Sequence, residues 1–315
     1  MSVTPSTYPT FASPVGHDWD WIPDYPRVTK PVTLKSGAIV PIPVLFWEAQ
    51  ALCVQGLADA ESVDLLLRDQ GLRVRHVDPN RPDIERAGSG HARVTIWAVS
   101  YGGSNVGPVR SVHALISVQP RRECRKDEHT AKPDHWWVWW YYGDSPLNQE
   151  FTRDVWGVPN ELAAIELSYL TDRKSVRLLE NGGTALRITC LVEPGSAAMA
   201  GTAPRLDPRV RLVARRPHDD GENWATVKHG RLVGSGEVAR DDEAILYVRK
   251  DSTIDRNLRG VGFRARNWFF YGAHNGMVEI WDDKGSGKDP VRDTEDKYEV
   301  VRRGEGWLIR EFQTP

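Results

Sequence analysis

The sequence predicts a β-rich α+β fold with a few short helices. Short apolar runs of strand length recur at hairpin spacing through most of the chain, and only two segments carry helical signals. The run HWWVWWYY (135–142) is apolar in both of its alternating sets, Trp136/Val138/Trp140/Tyr142 and His135/Trp137/Trp139/Tyr141, which marks a strand covered on both faces.

Taken in order, residues 1–44 are dense in proline, include HDWDWIPDYP and lack any sustained period, so they are expected to form an irregular arm over a body. Leu45 to Val54 reads as a strand. Asp59 then caps a short amphipathic helix in ADAESVDLLLRDQG, stopped by Gly71 and suited to cover the sheet. ARVTIWAVSY (92–101) and PVRSVHALISVQP (108–120) are strands joined by GGSNVG, and the charged run 121–134 is a solvated loop. SPLNQEFTRDVWGVP is a turn with one helical stretch, followed by the strands ELAAIELSYL, SVRLLENG and TALRITCLVEP. The small-residue loop 196–208 is an internal boundary. DPRVRLVARR, NWATVKHGRLVGSGEVA, EAILYVRK, RGVGFRARNWFFYGA and GMVEIWDD continue the β pattern. The organisation read from this is an arm (1–44), a β domain (45–283), and a charged linker with a terminal hairpin, EVVRRGEGWLIREF, turning at GEG (284–315).

The chain has 315 residues, with 41 basic against 43 acidic side chains and a net charge of −2. That balance excludes disorder, collagen and coiled coil as whole-chain readings, and it lacks the basic excess of a phosphate-backbone binder, so no nucleic-acid partner is expected. No run approaches the roughly 18 apolar residues of a membrane helix and the start has no signal-peptide pattern, so a cytoplasmic protein without a membrane partner is expected. Cys53, Cys124 and Cys190 are scattered and odd in number, which predicts reduced, titratable thiols rather than a disulfide framework. Thirteen tryptophans are about three times ordinary usage and indicate that something large and flat is packed or bound.

Nucleotide and metal signatures are weak. Gly285-Ser286-Gly287-Lys288 is followed by Asp289 and sits in a polar linker, while GSGEVA and GVGFRA lack the strand–turn–helix setting of a dinucleotide site. There is no G-x-S-x-G elbow. Cys124, His129 and His135 have no ligand spacing, so neither a metal nor another cofactor is called for.

GPVRS (107–111) on a strand, followed after the tryptophan-rich strand by EFTRDVWGVPNEL (150–162), resembles the acetoacetate decarboxylase superfamily, which has a G-P-Y-x-E-like strand and a G-R-E-x-x-G-x-P-K-K-like turn. The segments 52–74, 209–224 and 257–283 resemble the family's early strand and helix, a later strand ending in a D-G turn, and its closing strands. The resemblance, spanning roughly 45 to 283, implies an antiparallel β-barrel or cone enclosing a pocket for a small-molecule substrate. It also implies a homo-oligomer, which the aromatic arm would suit.

The departures carry the functional reading. The family's Schiff-base lysine falls on Asn160 and its neighbouring cation on Glu161, so imine-mediated decarboxylation is not expected. Family carboxylates fall on Ser111 and near Thr95, and an arginine near Gln50. Glu161 in an aromatic, partly dry pocket is the first candidate for proton transfer. Asn160 and Ser111 are candidates to stabilise an oxyanion, and His113 shares the face of Ser111 by period two, so the two are able to pair. Gln50, Thr95, Arg110, Trp137, Trp139, Glu150 and Asp154 complete the expected binding set. The expected function is acid/base catalysis on a carbonyl-containing organic acid or polyketide-like compound, by dehydration, cyclisation, isomerisation or hydrolysis. The alternatives are a non-catalytic binding protein on the same fold and a decarboxylase using another lysine, such as Lys228.

Overall fold

A computed structural model describes residues 30–42, 44, 46–70, 72–80, 86–104, 106–120, 135–170, 172–191, 211–215, 224–229, 235–238, 244–272, 279–281, 298–303 and 306–311. The stretch before residue 30, the charged run 121–134, the loop 196–208 and most of the linker expected after 283 lie outside them.

The described residues begin with a hairpin, β1 (Lys30–Thr33) and β2 (Ile39–Ile42). β3 (Phe46–Asp59) leads into α1 (Ala60–Leu67), a 3₁₀ turn and β4 (Leu72–Val74). The long strands β5 (His91–Ser104), β6 (Val109–Pro120) and β7 (His135–Gly143) come next, then α2 (Pro146–Trp156) and β8 (Asn160–Leu162). β9 (Ala164–Tyr169), β10 (Arg173–Glu180) and β11 (Gly183–Leu191) form a meander. β12 (Arg211–Arg215), β13 (Trp224–His229), β14 (Ser235–Val238) and β15 (Ile245–Val248) precede α3 (Thr253–Gly260), β16 (Arg264–Gly272) and β17 (Glu279–Trp281). A terminal hairpin, β18 (Tyr298–Arg303) and β19 (Gly306–Glu311), closes the described chain.

The main sheet runs β14-β16-β3-β5-β6-β7-β12-β13-β17, with β4 also on β6 and β8 also on β7. Its pairings are antiparallel except those of β7 with β8 and with β12. A smaller antiparallel sheet, β15-β11-β10-β9, lies against one face of the main sheet. Among the described residues the architecture is therefore β-rich with three short helices, as the sequence predicts.

Strand alternation divides the core. Leu52, Val54, Ile96, Ala98, Val112 and Ala114 pack against Val176, Leu178, Leu186 and Ile188 of the smaller sheet and Ile254 of α3. On the other face, Ala51, Cys53, Trp97, Val99, Leu115 and Val138 pack with Phe151 and Trp156 of α2. Leu34, Ala38 and Val40 join this second cluster, so the irregular arm expected over 1–44 is a hairpin integral to the core from Lys30 onward. Four-residue strands are too short to show a period. α3 escaped the sequence reading although Ser252 caps it by accepting from the Asp255 N–H, an S-x-x-D start signal.

α1 forms where expected, burying Ala60, Val63 and Leu67 along one stripe, and its Asp59 cap accepts from the Ser62 N–H at 2.7 Å. That hydrogen bond holds the Asp59 carboxyl below its ordinary value. A carboxyl lowered on folding stabilises the fold above its unfolded pKa, about 3.9, and the contribution disappears as pH falls through the folded value. Asp59→Ala should lose about 1 kcal/mol at pH 7. Urea unfolding at pH 7 and again at pH 3 checks this: the gap between variant and parent should shrink at the lower pH, and an unchanged gap would contradict the cap.

Candidate functional site

The registers of β3, β5, β6, β7 and β8 place Cys53 opposite Trp97, Trp97 opposite His113, His113 opposite Tyr141, and Tyr141 opposite Asn160. Directly paired residues share a face, so these five side chains form one row. The His113 ring stacks on Tyr141 with centroids 5.0 Å apart and an interplanar angle of 3°, and Trp97 lies on its other side at 6.4 Å and 15°. In the adjacent row Ser111 pairs with Val99 and with Gly143. Ser111 Oγ and His113 Nδ1 are 3.4 Å apart, and both residues are buried.

α2 supplies the floor of this group. Ser145 caps it, Pro146 fits its first turn, and Gly157 ends it in the left-handed conformation at φ 69°. Phe151 and Trp156 anchor it in the core, edge to face at 4.0 Å. Asn148 and Thr152, one turn apart on its inner face, are 1% and 2% exposed. Asn148 Nδ2 donates to Tyr141 Oη at 3.3 Å, and Asn160 Nδ2 donates to Thr152 Oγ1 at 2.9 Å. The Oδ1 atoms of Asn148 and Asn160 are buried without a hydrogen-bond partner, as is Thr95 Oγ1. The result is a polar cluster of Ser111, His113, Asn148, Thr152 and Asn160, all buried, around the half-buried Tyr141.

The structure thus brings together three of the expected residues, Ser111, His113 and Asn160, and places Thr95 further along the same face. The others lie elsewhere. Glu161 follows Asn160 on β8, so it points to the opposite side and is exposed, not enclosed by aromatics; the neighbouring Tyr142 phenol is pushed up to about 12 by its own burial first and by the charges of Glu161 and Glu180 second. Gln50 alternates with Ala51 and lies away from the cluster. Arg110 alternates with Ser111 and bonds instead to the Asp144 side chain and the Ile165 carbonyl. Glu150 accepts the Ser36 N–H at 2.7 Å and Asp154 pairs with Lys35 at 3.0 Å, so both clasp the β1–β2 turn rather than face the cluster.

Trp137 and Trp139 require a correction of parity. Strict alternation puts them with Tyr141, but the β6–β7 register shifts between Ala114 and Leu115, passing from Trp140 to Val138. This bulge turns Trp136 and Val138 to the His113 side and sends Trp137 and Trp139 into the clusters on the opposite face. Tyr141, Asn148 and Thr152 were not singled out in the sequence; the N-x-x-x-T spacing in a Ser-Pro-initiated helix was the available signal. The Lys228 side chain, Cys124 and His129 lie outside the described residues. Among the described residues no group of three or more His, Cys, Asp or Glu could hold a metal, and no helix is long and apolar enough to cross a membrane.

Cys53 ends the aromatic row and Cys190 lies in the opposite core cluster; burial raises both thiols, Cys190 to about 12 and Cys53 well above its ordinary value. The expectation of titratable thiols therefore changes for these two. At pH 8 a thiol-disulfide reagent should leave both unmodified in the native chain and modify them after unfolding, because the thiolate is the reacting form. Peptide mapping of the labelled chain checks it, and native labelling of Cys53 would place it outside the core.

No protein-family model matches this chain, and no curated protein matches it. Solved structures do. Acetoacetate decarboxylase from Legionella pneumophila is 12% identical, with a TM-score of 0.52 over 77% of this chain and 89% of its own. The enduracididine biosynthesis enzyme MppR, complexed with pyruvate, is 14% identical, with a TM-score of 0.51 over 78% of this chain and 93% of its own. An acetoacetate decarboxylase-like enzyme from Sphingomonas wittichii is 14% identical, with a TM-score of 0.50 over 76% of this chain and 94% of its own. The chain has the acetoacetate decarboxylase-like fold.

Proposed function

We propose that this chain uses the acetoacetate decarboxylase-like fold as an enzyme for acid/base chemistry on a carbonyl-containing small molecule, without an imine at the motif position. The Ser111–His113 contact supports the reading most directly. For the serine hydroxyl to donate to Nδ1, that nitrogen must be the unprotonated one, which leaves the ring proton on Nε2. His113 then takes a proton from Ser111 or returns one to it, and Ser111 exchanges it with the substrate. The 3.4 Å separation is long, as such contacts are before substrate tightens them. Tyr141 and Trp97 hold the imidazole plane on both sides, which fixes the direction in which the proton moves.

Asn160 has no nucleophilic amine, so the step that makes a ketone imine has no partner at this position. The buried lysine among the described residues, Lys174, lies in the opposite core cluster's surroundings, its ammonium over the Phe270 ring and bonded to the Leu170 carbonyl. Proton transfer at or beside a carbonyl is common to dehydration, cyclisation, isomerisation and hydrolysis, which are the reaction classes this reading covers.

Deuterium uptake from heavy water into the methyl group of pyruvate or pyruvamide, followed by proton NMR, reports such proton transfer. The chain should accelerate uptake, and Ser111→Ala or His113→Gln should each lower the acceleration by roughly 10²–10⁴-fold with circular dichroism unchanged. The double variant should be little worse than either single one, because the pair acts as a unit. Equal rates in parent and variants would sink the reading. Borohydride with acetone should leave the intact mass unchanged; a stoichiometric reduced adduct on a lysine would show imine chemistry instead.

A further inference from the structure

We infer that Asn160, with Asn148, forms an acceptor site for an uncharged group that donates an N–H, a primary carboxamide in the first place, so that the small molecule taken by this cluster is a neutral amide rather than an acid. The inference rests on the proposed use of this face for a small-molecule substrate and names the substrate class.

The orientation of the Asn160 amide is fixed by proton counting. Thr152 has one hydroxyl proton and lies 2.7 Å from the Asn148 carbonyl oxygen and 3.1 Å from that of Gln149. Both are acceptors, so the proton is committed to them and Thr152 Oγ1 can only accept from Asn160. Nδ2 therefore faces Thr152, and Oδ1 is turned to the other side. Gly143 borders the amide without a Cβ: one placed there would lie 3.2 Å from Asn160 Oδ1 and 3.4 Å from both its Nδ2 and the Tyr141 ring, closer than ordinary contact. Asn160 is 1% exposed and its Oδ1 has no donor. A carbonyl oxygen stripped of water and left without a donor is an unfavourable arrangement that a donating ligand relieves. Asn148 Oδ1, whose amide nitrogen is bonded to Tyr141 Oη, is likewise buried without a donor.

Charge then selects among donors. Among the described residues, no lysine, arginine or histidine hydrogen-bonds to Asn148, Thr152 or Asn160, so a carboxylate on Asn160 Oδ1 would be buried against a further acceptor. The nearby carboxylates are spent elsewhere: Glu150 on the Ser36 N–H, Asp154 on Lys35, and Glu161 is exposed on the far side of β8. An ammonium would likewise be desolvated without a counter-ion. A neutral carboxamide meets Oδ1 with an N–H and carries no charge to bury.

Isothermal titration calorimetry of the full chain with pyruvamide, pyruvate and aminoacetone compares a neutral donor, an anion and a cation of similar size. Pyruvamide should bind at least tenfold more tightly than either ion. Asn160→Leu should remove that preference, and Gly143→Ala, which keeps Asn160 but sets a methyl against Oδ1, should weaken pyruvamide at least tenfold; the second variant decides if the first does not fold. Tighter binding of either ion, no binding of any probe, or pyruvamide binding unchanged by Gly143→Ala would overturn the inference. Pyruvamide binding that follows Asn160 without any Ser111-dependent exchange would leave this site standing and remove the enzyme reading alone.

Discussion

The register of five strands, seen in the row Cys53–Trp97–His113–Tyr141–Asn160, is the constraint on which the rest of this site depends. Side chains alternate with period two, so a one-residue slip in any pairing would turn part of the row to the opposite face. What prevents the slip is burial on that opposite face. Leu52, Ile96, Val112 and Tyr142 interleave with the row and are covered by the smaller sheet, so a shifted register would expose them and bury polar groups in their place. The polar cluster is thus positioned by an apolar interface it does not touch.

The row crosses from β7 to β8 through a parallel pairing, which a tight hairpin cannot make and a crossover must. α2 is that crossover. Its anchors Phe151 and Trp156 bury its inner face, and the left-handed Gly157 turns the chain back so that Asn160 arrives beside Tyr141. The same inner face carries Asn148 and Thr152, so one short helix both delivers Asn160 and fixes its amide. Packing and chemistry share a single element here, which explains why polar groups are tolerated at near-complete burial: their orientation is held by neighbours that are themselves locked.

Cover for this region comes from the β1–β2 hairpin. Leu34, Ala38 and Val40 provide the apolar contact, while Glu150 and Asp154 of α2 hold the turn through Ser36 and Lys35. The Lys35 side chain is 73% exposed, so its ion pair contributes direction more than stability. The hydrophobic contact fixes the hairpin, and the charges set which way its turn faces.

Local periodicity, capping and the identity of single side chains were enough to read most strands from β3 onward, the Asp59-capped helix, and Ser111 and His113 on one face. The fold that those patterns imply is shared with solved structures at 12% to 14% identity. Which tryptophans face His113 was settled by strand pairing, since one bulge in β7 reverses the parity that alternation assigns to Trp137 and Trp139. Strand pairing also turned Glu161 outward, and the packing of α2 drew Asn148 and Thr152 inward, because the face a residue takes beside a turn depends on the strand that receives the chain, and β8 is received by β7 across the α2 crossover. Local patterns fix what a residue is able to do; the long-range register fixes which face, and so which chemistry, it joins.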